Sequence, residues 1–117
     1  MNYLQKIKVL AIPEVYDYLD ELVTILYEKD YFGFKDFAID YVDELLDDIL
    51  TILPTKLHKP APKHFEKIGK ELYYTVFKKN NRTSWYVFFT KHKEKEETIY
   101  LVRYISNNHV MAQYFTS

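Results

Sequence analysis

Between Gly33 and Pro54 the chain runs without a glycine or proline, and its apolar residues Phe34, Ala38, Tyr41, Val42, Leu45, Ile49 and Ile52 recur at helical spacing. That spacing gathers them into one stripe, while Asp36, Asp40, Asp43, Glu44, Asp47 and Asp48 crowd the other side. One long amphipathic helix over residues 34–53 is therefore predicted, closed by Pro54. A helix with so continuous an apolar stripe has to bury it, and that demand fixes much of the rest.

A partner lies just upstream. Val15, Leu19, Leu22, Val23 and Leu26 give residues 14–29 the same period, with Pro13 suited to the first helical position. Glu14 and Asp17 sit in the first turn and Lys29 near the end, each complementing the helix dipole. The break at Asp30, Tyr31, Phe32 and Gly33 is short, so the two helices should pack as an antiparallel hairpin. Ahead of them, residues 5–12 (QKIKVLAI) read as a strand through Ile7, Val9 and Leu10.

After the hairpin, residues 55–70 look irregular, with Pro60, Pro62 and Gly69, and carry Lys56, Lys59, Lys63, Lys67 and Lys70 against one acid, Glu66. Three strand-like runs follow at residues 71–79, 84–91 and 98–105. Asn80, Asn81 and Arg82 make one turn between them and the charged run 91–97 makes the other, so a meander is expected. Both faces of these strands are apolar or aromatic: one should cover the helices, and the other must be covered or used. The predicted order is β-α-α-β-β-β, an α+β fold in one domain over residues 1–117, with the helical hairpin on one face of a mainly antiparallel sheet. Asn107, Asn108 and His109 end the last strand, and residues 110–117 form a short tail.

Charge divides the chain more sharply than its net −1 suggests. Residues 1–53 hold 4 Lys and Arg against 12 Asp and Glu, a balance of −8, while residues 54–117 hold 12 against 5, a balance of +7. Such a division suits a chain with one face toward a polyanion, or two halves that neutralise each other across the fold. Aromatic residues make up 18% of the chain, enough to line a binding surface as well as a core. Cysteine is absent, which removes disulfides and thiolate metal sites, and His58, His64 and Glu66 alone make a poor metal set. Two glycines leave no phosphate-cradling loop, so no metal or other cofactor is expected. Lys6 and Lys8 interrupt the N-terminal apolar stretch, and no run is long enough to span a bilayer, so a cytoplasmic protein with no membrane partner is the expectation.

The order of elements, the segment LPTKLHKPAPKHFEKIGKELYYTVFK (residues 53–78) and the segment IYLVRYISNNHVMAQY (residues 99–114) resemble the RelE/ParE toxin superfamily, most of all its ParE-like plasmid stabilisation branch. The resemblance covers nearly the whole chain but rests on order and spacing, since no invariant signature is present. It implies the toxin of a type II toxin–antitoxin pair, neutralised by a cognate antitoxin protein. Its target would be messenger RNA on the ribosome, as for endoribonuclease members, or DNA gyrase, as for non-catalytic inhibitors. A non-toxic interaction module of the same fold is the third reading, and a homodimer stays open.

Metal-free RNA cleavage needs a proton acceptor for the 2′-hydroxyl, a cation for the phosphate and a proton donor for the leaving oxygen. The resemblance points to Arg103 on the last strand, His109 just after it, and Tyr114. Arg103 alternates with Ile99, Leu101 and Ile105, so it should sit on an aliphatic face, where a charge is either used or paired with a helix carboxylate. His109 either moves a proton or, with Asn107 and Asn108, terminates the strand. Lys56, Lys59, Lys63, Lys67, Lys70 and Arg82, with nearby Tyr73, Tyr74, Trp85 and Tyr86, would bind the RNA or form a solvated loop over aromatic strands. The strand at 84–91 has no arginine at its centre, Arg82 lying in the turn before it, and this keeps gyrase inhibition open as the alternative.

Overall fold

The computed structural model of the chain describes residues 6–29 and 33–115. Gln5 of the predicted first strand, Asp30, Tyr31 and Phe32 of the predicted break, and Thr116 and Ser117 of the predicted tail lie outside the described residues. The fold is α+β, with a helical hairpin packed on one face of a mixed five-stranded sheet. In chain order the elements are β1 (Lys6–Ala11), α1 (Pro13–Glu28), α2 (Lys35–Ile52), β2 (Lys59–Pro60), β3 (Tyr73–Lys78), β4 (Ser84–Lys93), β5 (Glu97–Asn107) and α3 (Asn108–Phe115).

The sheet order is β1-β5-β4-β3-β2. Strands β3, β4 and β5 form the antiparallel meander, and β1 adds to it parallel to β5, from Lys6 opposite Glu97 to Ala11 opposite Val102. Between β1 and β5 the chain passes through the helical hairpin and then β2, β3 and β4, a crossover long enough for a parallel pairing. Val15, Leu19 and Leu22 of α1 and Val42, Leu45 and Ile49 of α2 bury their stripes against Phe77, Trp85, Val87, Phe89, Tyr100, Val102 and Ile105. The Trp85 indole N–H donates to the Tyr41 hydroxyl at 2.9 Å, tying β4 to α2. The stripe of α2 fades at its ends, where Phe34, its N-cap residue, and Ile52 are exposed, whereas Leu53 just beyond the helix is wholly buried.

The opposite face is covered, and this part differs from the expectation. Residues 55–70 are not an irregular loop. They follow a 3₁₀ turn (Leu53–Thr55), add β2 to the sheet edge, and then form a 3₁₀ helix (Lys63–Ile68) that sets Phe65 against Phe88. The tail is not a loose end either. Its residues 110–115 belong to α3, whose Met111, Tyr114 and Phe115 join Phe65, Tyr74, Tyr86, Phe88 and Tyr104 in a second, aromatic core. The strands of the hairpin β4–β5 are also longer than predicted, so the charged run contracts to a tight connection at Glu94–Glu96, closed by the Glu94 N–H donating to the Glu97 carbonyl at 2.7 Å.

Candidate functional site

A bulge interrupts the β4–β5 ladder at Arg103. Phe88 faces Tyr104 across the β4–β5 ladder, but Phe89 faces Val102, so Arg103 is an extra residue with no partner opposite. The extra residue shifts the alternation. Ile105 consequently enters the helix-side core with Val102, and so leaves the predicted face of Ile99, Leu101, Arg103 and Ile105. Arg103 stays with Ile99 and Leu101 on the face away from the helices, beside their partners His92 and Thr90.

There the Arg103 Nε–H donates to Thr90 Oγ1 at 3.0 Å, and the same oxygen lies 2.8 Å from His92 Nε2. In the second bond the hydroxyl donates to an unprotonated Nε2, or accepts from Nε2–H. Thr90 is buried and His92 exposed, so the string runs from the sheet interior to solvent. No carboxylate among the described residues forms an ion pair with Arg103; the two ion pairs there are Lys8–Glu97 and Lys79–Glu44. The expected helix-carboxylate partner for Arg103 is thus not formed. Gly69 closes over the pair from the segment before β3. A Cβ on Gly69 would stand 3.2 Å from Arg103 Cδ and 3.3 Å from Thr90 Cγ2, closer than ordinary contact.

Arg103 also lines a cleft of about 220 Å³ with Glu14, Val15, Tyr18, Tyr104 and Ile105. Burial, with the Tyr104 phenol and the Glu21 carboxylate nearby, pushes the Tyr18 phenol up to about 12.

The other predicted residues are dispersed around this centre. His109 is exposed in the first turn of α3 and lines a different cleft, of about 400 Å³, with Leu22, Tyr41, Trp85 and Asn107. Its neighbours act as strand-to-helix fasteners: Asn107 Oδ1 accepts the Val110 N–H at 2.9 Å as an N-cap, and Asn108 Oδ1 accepts the Ser84 N–H at 3.0 Å. Tyr114 belongs to the aromatic core, its ring stacked on His64 at 4.0 Å. Lys63, Lys67 and Lys70 are exposed along the 3₁₀ helix and the turn after it, the last two flanking Gly69 in sequence. Lys56 and Lys59 line an open cleft of about 670 Å³ at the β2–β3 edge, and the Lys56 ammonium lies over the Phe77 ring at 4.6 Å. Arg82 is exposed in the β3–β4 turn, where the Asn80 side chain accepts its backbone N–H at 2.8 Å.

Thr90 and His92 escape a reading of the sequence because His92 falls in what looks like a charged turn. The i, i+2 spacing from Thr90 places both on one strand face, but only the register reveals that Arg103 joins them. Among the described residues no group of three His, Asp or Glu side chains is placed to hold a metal ion. Nor is any described helix long and apolar enough to cross a membrane. No family model, curated protein or solved structure matches the chain.

Proposed function

We propose that this chain is the toxin of a type II toxin–antitoxin pair of the RelE/ParE kind, acting in the cytoplasm and neutralised by a cognate antitoxin, and that it arrests growth by cutting messenger RNA on the ribosome. The observation that carries the reading is Arg103: a guanidinium fixed to the sheet by Thr90, in ion-pair contact with no carboxylate among the described residues, Glu14 of the shared cleft included. A cation placed so is suited to the charge that builds on phosphate as a 2′-oxygen attacks phosphorus and the 5′-oxygen leaves. Exposed Lys63, Lys67 and Lys70 supply sequence-independent attraction for the backbone on the same side of the sheet, where the 3₁₀ helix lies. Residue order, a hairpin followed by a meander, agrees with the resemblance seen in the sequence.

Induced expression in a bacterial host tests it, with amino-acid incorporation, mapping of messenger RNA ends and plasmid supercoiling read in parallel. The expected result is rapid loss of translation and new cleavage ends within reading frames, both abolished by Arg103→Ala, with supercoiling unchanged throughout. A second reading, non-catalytic inhibition of gyrase, is favoured by one observation: Arg103, His109 and Tyr114 fall in three separate places rather than in one catalytic group. Relaxed plasmid with intact messenger RNA would decide for it, and undisturbed growth would remove both.

A further inference from the structure

We infer that Thr90, His92 and Arg103 work as one hydrogen-bonded unit that holds a phosphate oxyanion, with His92, not His109, the imidazole of the site. The inference deepens the reading above, on which it rests for RNA as the natural source of the phosphate. Three features of the molecule converge on it. The first is connectivity: one buried hydroxyl oxygen is shared by the guanidinium at 3.0 Å and the imidazole at 2.8 Å, so neither ring nor guanidinium can turn without breaking a bond to Thr90. The second is charge. The Nε of Arg103 is committed to Thr90, while its terminal nitrogens have no hydrogen-bond partner among the described residues and lie within ion-pair distance of none of their carboxylates. The third is clearance. Gly69 is one of only two glycines, its backbone is extended, and its missing Cβ leaves room where any side chain would press on Arg103 and Thr90.

A guanidinium held by its Nε presents its two outer nitrogens as a fork, which matches two oxygens of a phosphate. The exposed imidazole adds a third donor when protonated, and a tetrahedral anion can use it where a planar carboxylate satisfied by the fork gains less. Thr90 is then a positioning residue: it touches no ligand but sets the distance between the two that do.

The test is binding by the full-length protein, followed through the Arg103 Nε–H and His92 ring resonances, with inorganic phosphate, a short single-stranded RNA and acetate as separate probes. Phosphate and RNA should both move the two signals, RNA binding the tighter because the lysines add to it, and acetate should do little. Thr90→Val, which keeps shape and loses the hydroxyl, and His92→Gln should each weaken RNA binding by about tenfold, the scale of a lost charged hydrogen bond. Thr90→Ser should restore it to within about twofold, which a purely structural role for the threonine methyl would not, and His109→Gln should leave it unchanged. His92 is exposed, so its replacement tests the site without threatening the fold. Movement with phosphate alone and no gain with RNA would assign the site to a small free anion. Equal response to acetate, or Thr90→Val and His92→Gln proteins that bind like the wild type, would overturn the inference. Growth arrest is scored separately, so a protein that binds phosphate here without toxicity refutes the toxin reading alone.

Discussion

Gly69 and Arg103 show how one missing side chain sets the chemistry of another. In Gly69→Ala the new methyl meets Arg103 Cδ at 3.2 Å, and the flexible arginine yields more easily than the sheet. Stability should therefore change by no more than about 1 kcal/mol, with the stiffer unfolded chain partly compensating. The Arg103 Nε–H resonance should shift strongly and RNA binding should fall, a separation that melts and binding assays on one preparation will show. Tyr18 carries a different consequence. Its phenol is raised to about 12 chiefly by burial, while an unfolded tyrosine ionises near 10. Below pH 10 both states keep the proton and no penalty exists. Between about 10 and 12 the unfolded chain releases its proton and the folded one holds it, so stability falls as pH rises. Urea titrations of wild type and Tyr18→Phe should run parallel up to pH 10 and diverge above it, the wild type losing more.

At the scale of elements, α3 is the piece that lets a sheet with two apolar faces exist in water. It lays Met111 and Phe115 over Phe88, Tyr74 and Tyr86, and Asn107 caps its first turn. Met111 is 1% exposed and Val110 46% exposed, so Met111→Ala should cost about 2–5 kcal/mol and Val110→Ala less than about 0.5, by denaturant midpoints. The hairpin was legible in the sequence because two long periodic stripes outweigh local noise, and β3 to β5 because aromatic and β-branched runs are separated by turn residues. The covering layer was not. A helix as short as Asn108–Phe115 is too brief to form on local propensity and is held by contacts that a linear reading does not contain. The same holds for the 3₁₀ helix at Lys63–Ile68, whose lysines and the prolines just ahead of it disguise its buried side chain, Phe65. Arg103 was legible as a charge needing a role, but the register that sets Thr90 and His92 beside it, and the bulge that turns Ile105 to the other face, are recorded by no spacing rule.

For the whole molecule, the sheet acts as a partition between charges. The acidic hairpin lies on one face, its Asp36, Asp40, Asp43, Glu44 and Asp47 exposed, and the lysine-bearing 3₁₀ helix lies on the other. Mutual neutralisation is slight among the described residues: Glu44 alone of these acids reaches a cation of the C-terminal half, Lys79, at 3.2 Å. A partially exposed pair of that kind adds little stability, so the division of charge is better understood as a field directed outward. A polyanion approaching the lysine face is attracted there and repelled from the hairpin, which orients it toward Arg103 before contact. Single-stranded RNA binding should then weaken linearly on a log–log plot against salt. Replacing Lys63, Lys67 and Lys70 together with Ser removes three phosphate contacts at most, and should reduce the slope by about 2, at roughly 0.7 per contact for a single strand. Arg103→Lys keeps the charge and loses the fork, so it should lower affinity at every salt concentration while leaving the slope in place. Fluorescence anisotropy across a salt series separates the two effects. A slope untouched by the triple lysine variant would mean that the anion enters from another side of the molecule, and that the basic segment serves only to cover the aromatic core.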